Sequence, residues 1–230
     1  MKISLISQKS SKMKTCFFFD FCFLANERSR DGLMTKPTKK NENCYAAGIL
    51  AISYPNPETK SPPLFLVGED RMGAISDFGG RCERFDRPPV RISCASREFV
   101  EETLGLVGTQ KEIAAKLMDA SIHAVGKTAN GSLYDQFIIE IQFDPSLPKF
   151  FDRSTNFLLM KSQRSSYHIE KTTLEWLTYD EIASRQKRSV FKETIRLNHD
   201  LIKEISQSCA GDWKNIVSKH RVSKNELPFV

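Results

Sequence analysis

Three glutamates within one helical turn constrain this chain more than any other feature. Glu98, Glu101 and Glu102 are spaced i, i+3 and i+4, so on a helix their Cβ atoms are neighbours, and each like-charged pair costs roughly 0.2–0.5 kcal/mol without a counter-ion. Apolar residues at helical spacing predict that helix and give it one buried face; they are Ile92, Ala95, Phe99 and Val100. A divalent cation would relieve the repulsion, and oxygen ligands suit Mg²⁺ or Mn²⁺. The spacing therefore indicates metal-assisted chemistry on a phosphate ester or anhydride.

A glycine pair, Gly79-Gly80, precedes this helix and follows two strand-like runs. A backbone without Cβ atoms can approach phosphate oxygens closely or take a positive φ. Such a pair alone indicates only a turn, and an isolated Glu-Glu pair alone indicates only a solvated helix face. Their order along the chain makes Gly79 and Gly80 candidate substrate-binding residues.

Residues 80–106 resemble the signature of the Nudix hydrolases. That signature is Gly, five residues, Glu, seven residues, then Arg-Glu, a large apolar residue, any residue, Glu-Glu, any residue, Gly and a large apolar residue. Residues 97–102 fit it position by position, and Gly105-Leu106 closes it one residue late.

The spacing departs from the family pattern before the helix. The sixth residue after Gly80 is Asp86 instead of Glu, and ten residues instead of seven separate Asp86 from Arg97. Glu83 is the other candidate for the first acid. Pro88-Pro89 indicates a longer turn at this point.

The resemblance implies an α/β (α+β) fold, an α/β/α sandwich with a mixed β-sheet. It implies cleavage by water of a pyrophosphate bond in a nucleoside diphosphate linked to another group. The metal, Mg²⁺ or Mn²⁺, would bind Glu98, Glu101 and Glu102, and Arg97 would support the site by orienting an acidic partner. The general base could come from within the motif or from outside it.

Outside the motif, the candidates for the general base are Glu170 and Glu175, since that segment often faces the cleft in the family. His168 is a further candidate, although a lone histidine near an apolar run is more often structural.

Two alternatives for the function stay open at this point. Basic flanks leave an mRNA-cap or other RNA 5′-end pyrophosphohydrolase possible, with RNA as a partner. A catalytically silent nucleotide- or protein-binding module is the alternative of another class, as is an interaction protein that uses its basic C-terminal helix. All three helical glutamates are present, which favours the enzyme.

Charge and composition predict the domain organisation. The chain has 230 residues, 40% hydrophobic and 27% charged, enough for one domain with extensions. Residues 1–43 have nine Lys/Arg against four Asp/Glu, residues 44–152 eleven against fifteen, and residues 153–230 fourteen against nine. We predict an N-terminal extension and linker over 1–43, a hydrolase domain over 44–207 and a basic C-terminal tail over 208–230.

The N-terminus contains an apolar, phenylalanine-rich run over residues 16–25. Asp20 interrupts it, and it is far shorter than the roughly 20 residues that span a bilayer. We interpret it as a short strand or a partner-binding segment and not as a membrane span; a cleaved signal is the lesser alternative. Six scattered cysteines without metal-site spacing indicate reduced thiols in the cytoplasm or nucleus.

The pattern elsewhere predicts the remaining elements. Strands are expected over residues 45–53, 64–68, 121–125 and 134–143, with an Asn130-Gly131 hairpin turn in the last pair. Residues 110–121 are expected to be helical, and residues 145–166 irregular. Residues 170–182 are expected to form a closing strand and a short helix, and residues 190–205 one amphipathic helix.

Overall fold

The computed structural model describes residues 46–128, 130–161 and 169–221, all within one compact unit of residues 41–230. The predictions for residues 1–43 and for His168 lie outside the described residues. The strands are β1 (Ala46–Ser53), β2 (Leu64–Asp70), β3 (Ile75–Ser76), β4 (Phe78–Arg81), β5 (Ser121–Lys127), β6 (Leu133–Glu140) and β7 (Lys171–Leu177). The helices are α1 (Val90–Glu102), α2 (Gln110–Ala120), α3 (Leu147–Lys161), α4 (Tyr179–Ser184), α5 (Ser189–Leu197), α6 (His199–Ser206) and α7 (Trp213–His220), with a 3₁₀ turn at Ala210–Asp212.

The strands form one mixed sheet in the order β3-β2-β1-β6-β5. Strand β1 runs parallel to β6 and antiparallel to β2 and β4, and β7 pairs antiparallel with β2. All eight residues of β1 are buried, as expected for a strand that is covered on both faces.

Helices cover both faces of the sheet. Residues of α1, α2 and α3 pack on one face, here called the acidic-helix face, in a core that includes Phe78, Phe99 and Phe137. Residues of α4, α5, α6 and α7 pack on the opposite face, around Phe65 and Phe191. This arrangement confirms the predicted α/β/α sandwich with a mixed sheet. No helix of the described residues is long and apolar enough to cross a lipid bilayer.

Residues 145–166 were predicted to be irregular, and that prediction was wrong for most of them, because residues 147–161 form α3. Proline usually interrupts a helix, but Pro148 occupies the first helical turn, where the N–H that proline lacks would have no intrahelical partner. The side chain of Asp144 accepts a hydrogen bond from the Ser146 N–H at 2.8 Å, just before the helix begins.

The single helix predicted over residues 190–205 is divided into α5 and α6 at Asn198. The Asn198 side-chain amide donates to the carbonyl of Thr194 at 2.8 Å and to that of Val125 at 3.0 Å, which fixes the break against β5. Farther on, α7 lies in the segment predicted to be a tail, and its Trp213 is buried in the core. The boundary between domain and tail stays a prediction.

Candidate active site

Strand β4 and helix α1 approach each other so closely at residue 80 that only glycine fits there. A Cβ atom at residue 80 would lie 2.5 Å from the carboxylate of Glu98. The backbone N–H of Gly79 donates to Oε2 of Glu102 at 2.8 Å. The two glycines and two of the three predicted metal ligands therefore meet at one place, on the acidic-helix face of the sheet.

Glu102 is the most buried of the three glutamates, with 4% of its side chain exposed. Its Oε2 atom is bonded to Gly79, and its Oε1 atom is buried without a hydrogen-bond partner. The ammonium of Lys171 lies 3.4 Å from that Oε1 atom, at ion-pair distance. Glu102 thus offers a buried oxygen whose lone pairs are free of hydrogen bonds.

The carboxylates in this cluster resist ionisation. Burial raises the pKa of Glu102 to about 8, although Lys171 and the Gly79 N–H oppose the rise. Burial also raises the pKa of Glu98, against the opposing effect of Arg97. The charge of Glu170 adds to the rise for both groups, so Glu170 is close enough to interact electrostatically with them. A bound cation would favour the charged forms.

Arg97 connects the helix to the loop that precedes it. Its guanidinium binds Asp86 through two contacts, Nε to Oδ1 at 3.0 Å and Nη2 to Oδ2 at 3.2 Å, and both side chains are buried. Nη2 also donates to the carbonyl of Arg81 at 3.0 Å. Glu83, by contrast, is exposed. Of the two candidates for the first acid, Asp86 is the one that contacts Arg97.

The same guanidinium contacts two of the predicted metal ligands. Its Nη1 atom lies 2.8 Å from Oε1 of Glu98 and 3.0 Å from Oε2 of Glu101, and the Glu101 side chain is 59% exposed. Each of the three glutamates therefore has a cation at ion-pair distance, Arg97 for Glu98 and Glu101 and Lys171 for Glu102. In the described ranges, no three Asp, Glu, His or Cys side chains converge on one point as a metal site would.

The donor set nevertheless fits Mg²⁺ or Mn²⁺. It contains only carboxylate oxygens, one of which is buried without a hydrogen-bond partner, and the adjacent strand lacks Cβ atoms that would exclude a phosphate. Binding would require Glu98 and Glu101 to turn from Arg97, which Glu101 can do readily because it faces solvent.

The two predicted base candidates are in different environments. Glu170 is exposed, directly before β7, and acts electrostatically on Glu98 and Glu102. Glu175 lies on the same side of β7 as Leu177. Leu177 packs in the core on the other face of the sheet, away from α1. Both oxygens of Glu175 accept hydrogen bonds from Arg185, at 3.1 and 3.2 Å. Glu170 therefore lies within electrostatic range of Glu98 and Glu102, whereas Glu175 is held in an ion pair on the other face.

Lys171 is the residue of this site that sequence reasoning missed. It is 1% exposed, and its ammonium donates to the Ser76 hydroxyl at 2.5 Å and to the Asp77 carbonyl at 2.9 Å. Its stem passes over Gly68, which leaves room for it. A lysine between Glu170 and two threonines gave no signal of burial, because lysine is almost always solvated.

The solved structures that this chain is similar to include proteins named as members of the family that the motif resembles. A bifunctional NMN adenylyltransferase/ADP ribose pyrophosphatase from Francisella tularensis, complexed with AMP and a Mn ion, is 15% identical, with 75% of this chain and 43% of that chain covered and a TM-score of 0.44. A MutT/nudix family protein from Listeria innocua is 14% identical, with 72% and 97% covered and a TM-score of 0.42. An Ap4A hydrolase from C. elegans is 11% identical, with 70% and 91% covered and a TM-score of 0.36.

No protein-family model matches the chain, and no curated protein matches it. At TM-scores below 0.5, the likenesses to solved structures say nothing about what this chain binds.

Proposed function

We propose that this chain is a Nudix-type hydrolase of nucleoside diphosphates linked to another group, dependent on Mg²⁺ or Mn²⁺. The main support is the buried Oε1 atom of Glu102, which has no hydrogen-bond partner and lies beside the Gly79-Gly80 strand. A buried acceptor without a hydrogen bond costs about 1–3 kcal/mol; the Lys171 ammonium at 3.4 Å offsets part of that cost, and a cation ligated there would remove the rest.

Each residue near the proposed metal would have a distinct task. When bound to Glu98, Glu101 and Glu102, the cation supplies charge neutralisation for the diphosphate. The glycine strand provides a surface on which a phosphate can lie against the backbone. Arg97 holds Asp86 and thereby the loop between β4 and α1. Glu170 is the side chain we propose to accept the proton of the attacking water, because it is exposed and near the cluster.

A substrate screen in the presence of Mg²⁺ or Mn²⁺ tests this proposal. ADP-ribose, dinucleoside polyphosphates and 5′-capped RNA would be incubated in ¹⁸O-labelled water, and mass spectrometry of the products would show which phosphorus was attacked. We expect turnover of at least one compound, and activity lower by orders of magnitude in Glu101→Gln and Glu102→Gln proteins.

Glu58→Gln is the matched control for that screen, since Glu58 is exposed in the loop between β1 and β2. Near-normal turnover by the Glu102→Gln protein would refute the metal assignment. Binding of nucleotides without turnover under any condition would show a catalytically silent module instead.

A further inference from the structure

The last residue of β4 and the loop that follows it, residues 81–87, present an unusual combination of exposed side chains. Arg81, Arg84 and Arg87 are all exposed, and Phe85 between them is 63% exposed. Within residues 46–128, 130–161 and 169–221, none of these three guanidinium groups forms an ion pair. Three unpaired arginines next to an acidic helix indicate a binding surface for an anion outside the metal site.

The backbone of this loop is held in place although the side chains of its arginines and of Phe85 are exposed. Asp86 is buried in the ion pair with Arg97, and its Oδ2 atom accepts a hydrogen bond from the Glu83 N–H at 2.7 Å. The Arg81 carbonyl accepts a third bond from Arg97. The loop is therefore anchored to the same arginine that contacts Glu98 and Glu101, which places the exposed side chains beside the proposed reaction centre.

Phe85 is held in the same way. The Arg97 guanidinium carbon lies 5.4 Å from the centre of its ring, within the range of a cation–π contact. The ring is therefore oriented by a buried group, and its large exposed area faces solvent. An oriented, exposed aromatic ring flanked by arginines is the combination with which proteins hold single-stranded nucleic acid, since the bases stack on the ring and the cations contact the phosphates.

We propose that Arg81, Arg84, Phe85 and Arg87 form a binding surface for a single-stranded nucleic acid, for which RNA serves as the probe below. Phe85 stacks on a base, and the three arginines contact consecutive phosphates. A nucleoside diphosphate alone would have its charge neutralised at the metal, and it offers no further phosphates to three more cations. That the 5′ end of the strand enters the metal site rests on the proposed function, whereas the binding itself does not.

Binding of a labelled single-stranded RNA of about ten nucleotides, within the range of such sites, tests the surface by fluorescence anisotropy in EDTA. We expect the wild-type affinity to fall steeply with salt. The Arg81→Ala/Arg84→Ala/Arg87→Ala protein should bind more weakly, with a slope of log K against log salt that is flatter by about 2, from roughly 0.7 per phosphate contact. Phe85→Ala should weaken binding on the order of tenfold.

The matched control removes three positive charges from the opposite face of the sheet, with Lys192→Ala/Lys203→Ala/Lys214→Ala in the same chain. We expect it to bind RNA as the wild type does. Equal losses in both triple variants would show nonspecific attraction by the net charge, and ADP-ribose competing as well as unlabelled RNA would assign the loop to a small substrate. Either result would overturn the proposal.

Failure of this proposal differs from failure of the proposed function. If the Glu102→Gln protein binds RNA normally while neither it nor the wild type hydrolyses any compound, the binding surface stands and the hydrolase assignment does not. If the wild type hydrolyses a nucleotide but binds no RNA in EDTA, the reverse holds.

Discussion

The ammonium of Lys171 lies 3.4 Å from Oε1 of Glu102, and both side chains are almost completely buried. The pair connects the start of β7 to the end of α1, two segments that are far apart in the chain. Lys171 is bonded in addition to Ser76 and to the Asp77 carbonyl, so its charge is well compensated. Glu102 has only the Gly79 N–H besides Lys171.

Removal of this lysine should destabilise the protein strongly. At pH 9, above the pKa of Glu102, Lys171→Met leaves Glu102 as an uncompensated buried charge, and we expect the free energy of unfolding at that pH to fall by about 3–5 kcal/mol. Adding Glu102→Gln to Lys171→Met should recover part of the loss. Urea unfolding of both variants checks this, with the exposed Lys192→Met as a control that changes stability by less than about 0.5 kcal/mol. Equal losses with and without Glu102→Gln would show that the two residues are not coupled.

The loop acids offer a matched comparison. Asp86→Asn keeps the side-chain shape but loses the charge that binds Arg97, so we expect a loss of about 1–3 kcal/mol in stability and lower activity. Glu83→Gln changes an exposed residue and should leave both properties nearly unchanged. Melting curves and turnover of the two proteins decide which acid fills the first acidic position of the motif, and a larger effect at Glu83 would reverse our assignment.

The general base can be tested in the same paired way. Glu170→Gln should lower kcat by about 10²–10⁴-fold at saturating metal. Glu175→Gln should instead weaken the ion pair with Arg185 and leave kcat nearly unchanged. An unchanged kcat in Glu170→Gln would mean that the proton is accepted within the motif.

Metal affinity should depend on pH through Glu102. Its pKa of about 8 means that a cation must displace a proton below that pH. The affinity for Mn²⁺, measured by calorimetry, should rise by up to about tenfold per unit from pH 6 to 8 and then level off. Glu102→Gln should flatten this rise, and a wild-type affinity independent of pH would contradict the assignment.

The same group affects the stability of the metal-free protein. The folded state holds the Glu102 proton more tightly than the unfolded state does, because the pKa is raised on folding. Stability should therefore fall as the pH rises from about 4.5 to about 8, relative to the Glu102→Gln protein.

A protein without residues 1–43 should remain folded and metal-dependent, because the first described strand begins at Ala46. Circular dichroism and turnover of the shortened chain check this expectation. An insoluble or unfolded product would show that the phenylalanine-rich segment belongs to the core.

The sequence was most informative where local spacing determines structure. The three glutamates and the apolar stripe predicted α1, and the Asn130-Gly131 dipeptide predicted the hairpin turn, in which Gly131 takes a positive φ of 80°. Lys171 could not be predicted, since its burial depends on Gly68 and on a strand more than ninety residues away. The break at Asn198 likewise depends on a carbonyl of β5. Contacts between distant segments decide these features, and one sequence does not show them.

The contact between Gly80 and Glu98 limits how this protein can diverge. Any side chain at residue 80 would force the carboxylate of Glu98 away from its place against the strand, so even the smallest substitution, alanine, should displace this proposed metal ligand without replacing it. New substrate preferences must then arise elsewhere, and the exposed loop between β1 and β2, which contains Glu58, is a part of the chain that is free to vary. A mutational scan of the chain should find residue 80 intolerant of substitution and residue 58 permissive.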